Sequence, residues 1–242
     1  LSSLQANCVN AMNKSGQKVA ATQGKEHSSC IKLAGAGKLV GMDADQCVVA
    51  DSKGKVGNAE LKTTDGQTKK CMFPFPPYGY TDDSIVNAAA KGEELALLED
   101  IFSFPLDPVI ATSNPAAACQ AAVSKTYEKF AATYVKEYNS CKKTRFKDSL
   151  ISGNAEMEAC IGQDDKGKIG KASAKILDGL TKKCVGVNLA TAFPGDCVGE
   201  AGSNNTFADC LERASVCRMC LAINEMDALS RGCDTLDDGV LN

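Results

Sequence analysis

Four cysteines recur at nearly the same spacing twice in this chain. Cys8, Cys30, Cys47 and Cys71 are separated by 22, 17 and 24 residues; Cys119, Cys141, Cys160 and Cys184 are separated by 22, 19 and 24. The residues between them repeat as well. Cys47 to Cys71 aligns with Cys160 to Cys184 without a gap and shares 14 of 25 positions. These include Asp51/Asp164, Lys53-Gly54-Lys55 against Lys166-Gly167-Lys168, and Asp65-Gly66 against Asp178-Gly179. Cys8 to Cys30 and Cys119 to Cys141 share 11 of 23 positions. Fixed-period self-similarity marks a repeated supersecondary unit. Two units of about 65 residues are too few for a solenoid, and a tandem pair of small cross-linked modules fits better.

The thirteen cysteines are spread along all 242 residues, and there is one histidine. A reduced zinc protein clusters its ligands and uses His, so this distribution suits an oxidising compartment and an extracellular, secreted protein. The chain opens at Leu1 without a signal-peptide pattern, as a secreted chain does after leader removal. Trp is absent and aromatics make up 5% of residues. Disulfides would then supplement a core of small aliphatic side chains, by about 2–4 kcal/mol each. The net charge of −3 is interleaved along the chain, with no basic stripe for nucleic acid. No apolar run approaches the roughly 18–20 residues that span a bilayer.

The periodicity predicts an all-α fold. Residues 115–140 read as a helix, with Asn114-Pro115 as cap and first position. Val123, Tyr127, Phe130, Tyr134 and Tyr138 lie on one face of it. The counterpart at 5–29 carries Met12, Gly16, Val19, Gln23 and His27. Segments 55–70 and 168–183 are also helical, with Gly66 and Gly179 interrupting them near the end. Each unit becomes an antiparallel helical hairpin. That geometry predicts nested disulfides: Cys8–Cys71 around Cys30–Cys47, and Cys119–Cys184 around Cys141–Cys160. Pairing successive cysteines would instead bridge two ends of one helix, about 33 Å apart at 1.5 Å per residue.

The expected organisation is a first hairpin repeat at 1–72, a connecting segment at 73–114, a second repeat at 115–185 and a Cys-rich segment at 186–242. The connecting segment opens with the proline-aromatic loop Phe73 to Tyr80. A helix at 84–103 follows, packing across both hairpins, and Pro105 and Pro108 end it. In the last segment, 186–205 reads as loop and 206–229 as a helix.

The tail holds Cys197, Cys210, Cys217, Cys220 and Cys233. Cys217-Arg218-Met219-Cys220 is a CxxC without the strand-to-helix setting of a redox dithiol. Cys210, Cys217, Cys220 and Cys233 have an unfamiliar zinc spacing, so structural disulfides within the tail are expected. Five cysteines cannot all pair internally, which leaves one for a buried thiol or a bond to another chain.

Asp-x-Lys-Gly-Lys at 51–55 and at 164–168 resembles a phosphate loop in its Gly-Lys only, and an Asp cap before a helix explains it better. Asp43-Ala44-Asp45, Asp82-Asp83 and Asp237-Asp238-Gly239 are candidates for weak calcium binding, but none completes an EF-hand. Asn13-Lys14-Ser15 and Asn204-Asn205-Thr206 are glycosylation sequons. His27 aligns with Tyr138 of the second unit, and a general base would not be exchanged for Tyr in a duplicate, so His27 reads as structural. With a single His, no Ser-His or Cys-His pair can be built elsewhere. No catalytic residue, cofactor site or metal site is assigned.

The sequence therefore points to a secreted, non-enzymatic structural or self-assembling protein, a fibre, surface or adhesion subunit whose partner is a further copy of itself. The alternative is a secreted binding module for a small hydrophobic ligand or a metal ion, with the aromatic stripe of the second unit as a pocket lining.

Overall fold

The computed structural model describes residues 1–236; the candidate calcium ligands Asp237-Asp238-Gly239 lie outside them. Among the described residues every regular element is helical. The α-helices are α1 (Ser3–Gly35), α2 (Ala44–Val49), α3 (Lys55–Lys70), α4 (Asp83–Phe102), α5 (Ala116–Lys147), α6 (Asn154–Glu158), α7 (Lys168–Lys183), α8 (Leu189–Ala192) and α9 (Asn204–Asp227). Each cysteine quartet spans a long helix, a short helix and a helix of 16 residues.

Local chemistry explains most helix starts. Ser2 and Gln5 form a reciprocal capping box on α1, and Asp43 and Gln46 do the same on α2. Asp82, Asn188 and Ser203 accept backbone N–H groups at α4, α8 and α9. The two Asp-x-Lys-Gly-Lys loops work differently from the expected Asp cap. Gly54 and Gly167 occupy the cap position itself, at φ 61° in both, a left-handed conformation suited to glycine. Asp51 and Asp164 reach in from three residues upstream. Asp51 accepts from Gly57 N at 2.7 Å, and Asp164 accepts from Lys168, Ile169 and Gly170. Their slight burial raises each carboxyl, but these amide donors outweigh it and hold both below the usual range.

Several expected boundaries shift. Pro115 stands at the N-cap of α5, without a side-chain cap from Asn114. α5 continues to Lys147 and α1 to Gly35. Gly66 and Gly179 do not interrupt α3 and α7. Gly179 instead lets α7 approach its neighbour: a Cβ there would sit 3.2 Å from Thr126 Cγ2 of α5. Tertiary contact overrides the low propensity of glycine here. The tail segment 186–205 holds α8 and a 3₁₀ turn at Asp196–Glu200 where loop was expected.

α1 packs on α3 and α5, and α5 packs on α7. α1 and α5 run antiparallel: Gly35 meets Ala117, Ser28 Oγ lies 3.0 Å from Ser124 Oγ, and Asn139 Nδ2 donates to the Asn13 carbonyl. Corresponding ion pairs tie the two 16-residue helices to the long ones, Lys55–Glu26 at 2.7 Å and Lys168–Glu137 at 2.8 Å. α4 packs chiefly on α1, α3 and α9 rather than lying evenly across both long helices. A bidentate pair fastens it to α9, with Arg218 Nε and Nη2 donating to Asp100 at 2.6 and 2.7 Å. Phe102, Phe193 and Phe207 pack as tilted rings with successive centroids 5.2 Å apart, joining the end of α4 to the tail.

Candidate functional site

Six disulfides lie among the described residues. Cys8 bonds Cys71 and Cys30 bonds Cys47; Cys119 bonds Cys184 and Cys141 bonds Cys160. In the tail, Cys197 bonds Cys210 and Cys220 bonds Cys233. The tail pairings consume Cys210, Cys220 and Cys233, so the four-thiolate zinc set and the CxxC dithiol are not assembled. Cys217 is buried in α9. A bond to another chain through one of the five tail cysteines therefore has no accessible sulfur: four are in intrachain bridges, and Cys217 is closed off by packing.

The aromatic stripe of α5 belongs to the core and does not serve as a pocket lining. Tyr127, Phe130, Tyr134 and Tyr138 are all buried there. A surface cleft of 780 Å³ lies between the start of α1 and the end of α5, and its lining mixes Asn7, Asn10, Ser140 and Lys143 with Leu1, Ala6, Phe146 and Ile151. Asn13 of the first sequon is buried and bonded to Asp227 and Lys142, while Asn204 of the second opens α9.

The candidate calcium residues are engaged by the backbone. Asp43 caps α2; Asp45 accepts from Leu106 N and Asp107 N; Asp107 accepts from Ala44 N. These three carboxylates converge but serve as turn and cap acceptors. Asp82 caps α4, and Asp83 accepts from the Thr64 hydroxyl.

Large apolar side chains are exposed at both ends of the long helices. At one end, the loop after Cys71 projects Met72, Phe73 and Phe75, with Phe73 88% exposed. Gln5 Nε2 holds this loop beside the first turn of α1 by donating to the carbonyls of Pro74 and Phe75, and Leu4 is exposed alongside. The Tyr78 hydroxyl donates to the Ile151 carbonyl, which brings exposed Leu150 to the same end. At the opposite end, where α1 finishes and α5 begins, Val40, Val49 and Val185 are exposed.

Two buried polar centres lie inside the bundle. In the first, Lys142 of α5 makes an ion pair with Asp227 at the end of α9, and both are fully buried. Tyr138 and Asn13 donate to the same carboxylate, and the Lys142 ammonium lies 4.6 Å from the centre of the Tyr138 ring. Burial pulls Lys142 down from the usual lysine range, and the Asp227 charge opposes that. The centre is a satisfied network of the kind that fixes a bundle's register.

The second centre is different. His27 of α1, Glu94 of α4 and Glu128 of α5 converge with ligand atoms within 4.8 Å of one another. His27 Nδ1 stands 3.7 Å from Glu128 Oε1. All three side chains are buried. His27 Nδ1 and all four carboxylate oxygens have no hydrogen-bond donor or acceptor among the described residues. Gln23 Nε2 lies 2.7 Å from His27 Nε2 and donates to the Val48 carbonyl at 2.9 Å. Gly24 makes the room, since a Cβ there would lie 1.7 Å from Glu128 Oε2. Burial pushes Glu128 up to about 7. Burial and the neighbouring Glu128 carry Glu94 well above the carboxylate range. Burial pulls His27 down to about 4.

Reading His27 as structural accounts for its burial but not for the company it keeps. The missed residues were Glu94 and Glu128. Each lies on the apolar spacing of its helix, Glu94 between Ala90 and Leu97/Leu98, and Glu128 beside Tyr127 and Ala131. A charge on a buried stripe was the available signal. No family model, characterised protein or solved structure matches this chain.

Proposed function

We propose that the protein is a secreted, non-enzymatic structural subunit that associates end to end with further copies of itself. The observation that carries this reading is the exposed apolar side chains at both ends of the disulfide-clamped long helices. Met72, Phe73 and Phe75 with Leu4 form one end, and Val40, Val49 and Val185 the other. Exposed apolar side chains that share an end of the molecule favour contact with another surface. Two different ends that meet head to tail make a heterologous contact, which extends into a filament when its rotation does not close.

Six bridges among the described residues suit an oxidising, extracellular setting. No described helix is long and apolar enough to cross a membrane. With four tail cysteines bridged within the chain and Cys217 buried, the contact between copies is noncovalent and survives reducing agent only as long as the fold does.

Light scattering across a concentration series, with negative-stain microscopy, tests the reading. Association that rises with concentration and is weakened by Phe73→Ser with Phe75→Ser supports it. A monodisperse monomer at millimolar concentration refutes it.

A further inference from the structure

We propose that His27, Glu94 and Glu128 form an internal binding site for one divalent transition-metal ion of the zinc, manganese or ferrous class. The site is independent of the end-to-end association.

Three observations carry it. The first is the donor set. One imidazole and two carboxylates, contributed by three separate helices, point into one space. Metal–nitrogen and metal–oxygen bonds of about 2.0–2.2 Å place donor atoms roughly 3.4 Å apart around a tetrahedral ion. Ligand atoms already within 4.8 Å, and the His27–Glu128 approach of 3.7 Å, require side-chain closure of about 1 Å.

The second is the unmet demand. Four carboxylate oxygens and a ring nitrogen are enclosed with no partner among the described residues beyond a proton that Glu94 could lend Glu128. Buried polar atoms in native proteins are almost always satisfied, and the exceptions call for an explanation. Two ionised glutamates and a neutral imidazole sum to −2, which a divalent cation cancels. Without the ion the same groups must hold protons, with Glu94 as donor to Glu128.

The third is the cradle. Gly24 lies against both carboxylates: a Cβ there would meet Glu128 Oε2 at 1.7 Å and Glu94 Oε2 at 3.0 Å. The helix backbone therefore comes close over the centre, where any other residue would displace a ligand.

The surroundings also suit a ligating imidazole. With an ion on Nδ1, the imidazole proton sits on Nε2, 2.7 Å from the Gln23 side-chain amide, whose oxygen accepts it once the amide is turned. A hydrogen-bond partner on the second ring nitrogen orients a ligating imidazole. Calcium does not fit, because it takes six to eight oxygens and not an imidazole. Mixed nitrogen and carboxylate donors select a first-row transition ion.

Complete burial assigns the ion a structural role. It pins α1, α4 and α5 together and enters as the chain folds. Binding displaces the protons that the buried carboxyls otherwise hold, so affinity rises with pH.

The test uses the whole chain with its disulfides intact. The protein is unfolded in denaturant with chelator, refolded with zinc chloride or cobalt chloride, desalted, and weighed by native mass spectrometry. The expected result is one retained ion per folded chain, with visible cobalt bands of a nitrogen-containing site. Glu94→Gln and Glu128→Gln should each weaken retention by more than the roughly 10–100-fold cost of losing a group that only orients a ligand. Asp43→Asn, which alters the exposed acidic cluster, should retain the ion as wild type does. Wild-type chains that fold by circular dichroism yet retain neither ion overturn the proposal, as does retention unchanged in both glutamate variants. The cobalt spectrum is read on wild type, so it stands even where a variant fails to fold.

Discussion

Replacing Glu128 by glutamine should change how the metal-free protein responds to pH. In the folded chain burial raises Glu128 to about 7, against 4.5 for an unhindered glutamate. A carboxyl whose pKa is higher folded than unfolded binds extra protons in the native state between those two values. Its contribution to stability is present below 4.5 and is lost as pH rises through 7. The shift, 7 − 4.5, corresponds to about 3 kcal/mol at 1.36 kcal/mol per unit. His27 runs the other way. Its pKa falls to about 4 on folding, so its contribution grows between about 4 and 6.5 and offsets part of the glutamate loss there. Above 6.5 only the glutamate loss remains, and Glu94, also raised, extends it. The introduced amide neither titrates nor repels Glu94. Relative to wild type, Glu128→Gln should therefore gain about 3 kcal/mol between roughly pH 4.5 and 8. Urea unfolding with chelator and intact disulfides, followed by circular dichroism, measures this. A variant–wild-type difference independent of pH over that range would refute the reasoning.

Two further outcomes follow from the buried ion pair and from the bridges. Lys142→Met strands the Asp227 charge inside the bundle and should cost about 3–5 kcal/mol, while Lys142→Met with Asp227→Asn should cost less than the sum of the single changes; urea denaturation of the four proteins decides it, and a single-variant loss within about 0.5 kcal/mol of zero contradicts it. Removing Cys8–Cys71 or Cys119–Cys184, with sequence separations of 63 and 65, should destabilise by about 4 kcal/mol, against about 3 for Cys30–Cys47 or Cys141–Cys160, with separations of 17 and 19. Thermal melts of the paired Cys→Ser variants would show the ordering, and inner bridges that matter more than outer ones would count against it.

The helices were legible because their signals are local. The spacing of Val123, Tyr127, Phe130, Tyr134 and Tyr138 marks a buried face, and those side chains are buried. The helix at 168–183 matches α7 at both ends, because Gly167 starts it and Cys184 follows it. Where local rules misled, a tertiary contact had replaced them. Gly66 and Gly179 lower helix propensity in isolation, yet α3 and α7 run through them, and Gly179 fits where α5 comes close. His27 and Tyr138 occupy equivalent positions in the two quartets, yet one meets two glutamates and the other meets Asp227 and Lys142. The equivalence is visible in the sequence, whereas the partners come from α4, α5 and α9.

By itself the sequence determined the helical class, the element boundaries to within a few residues at most ends, and the disulfide framework of the two cysteine quartets. Those follow from periodicity, capping residues and cysteine count, which are properties of neighbours along the chain. Only the tertiary structure decided which tail cysteines pair, that Cys217 is enclosed, and that His27 shares its space with Glu94 and Glu128. The reason is distance: Glu94 and Glu128 lie far along the chain from His27, and only the packing of three helices brings their charges into one dry interior, where each alters the proton affinity of the others.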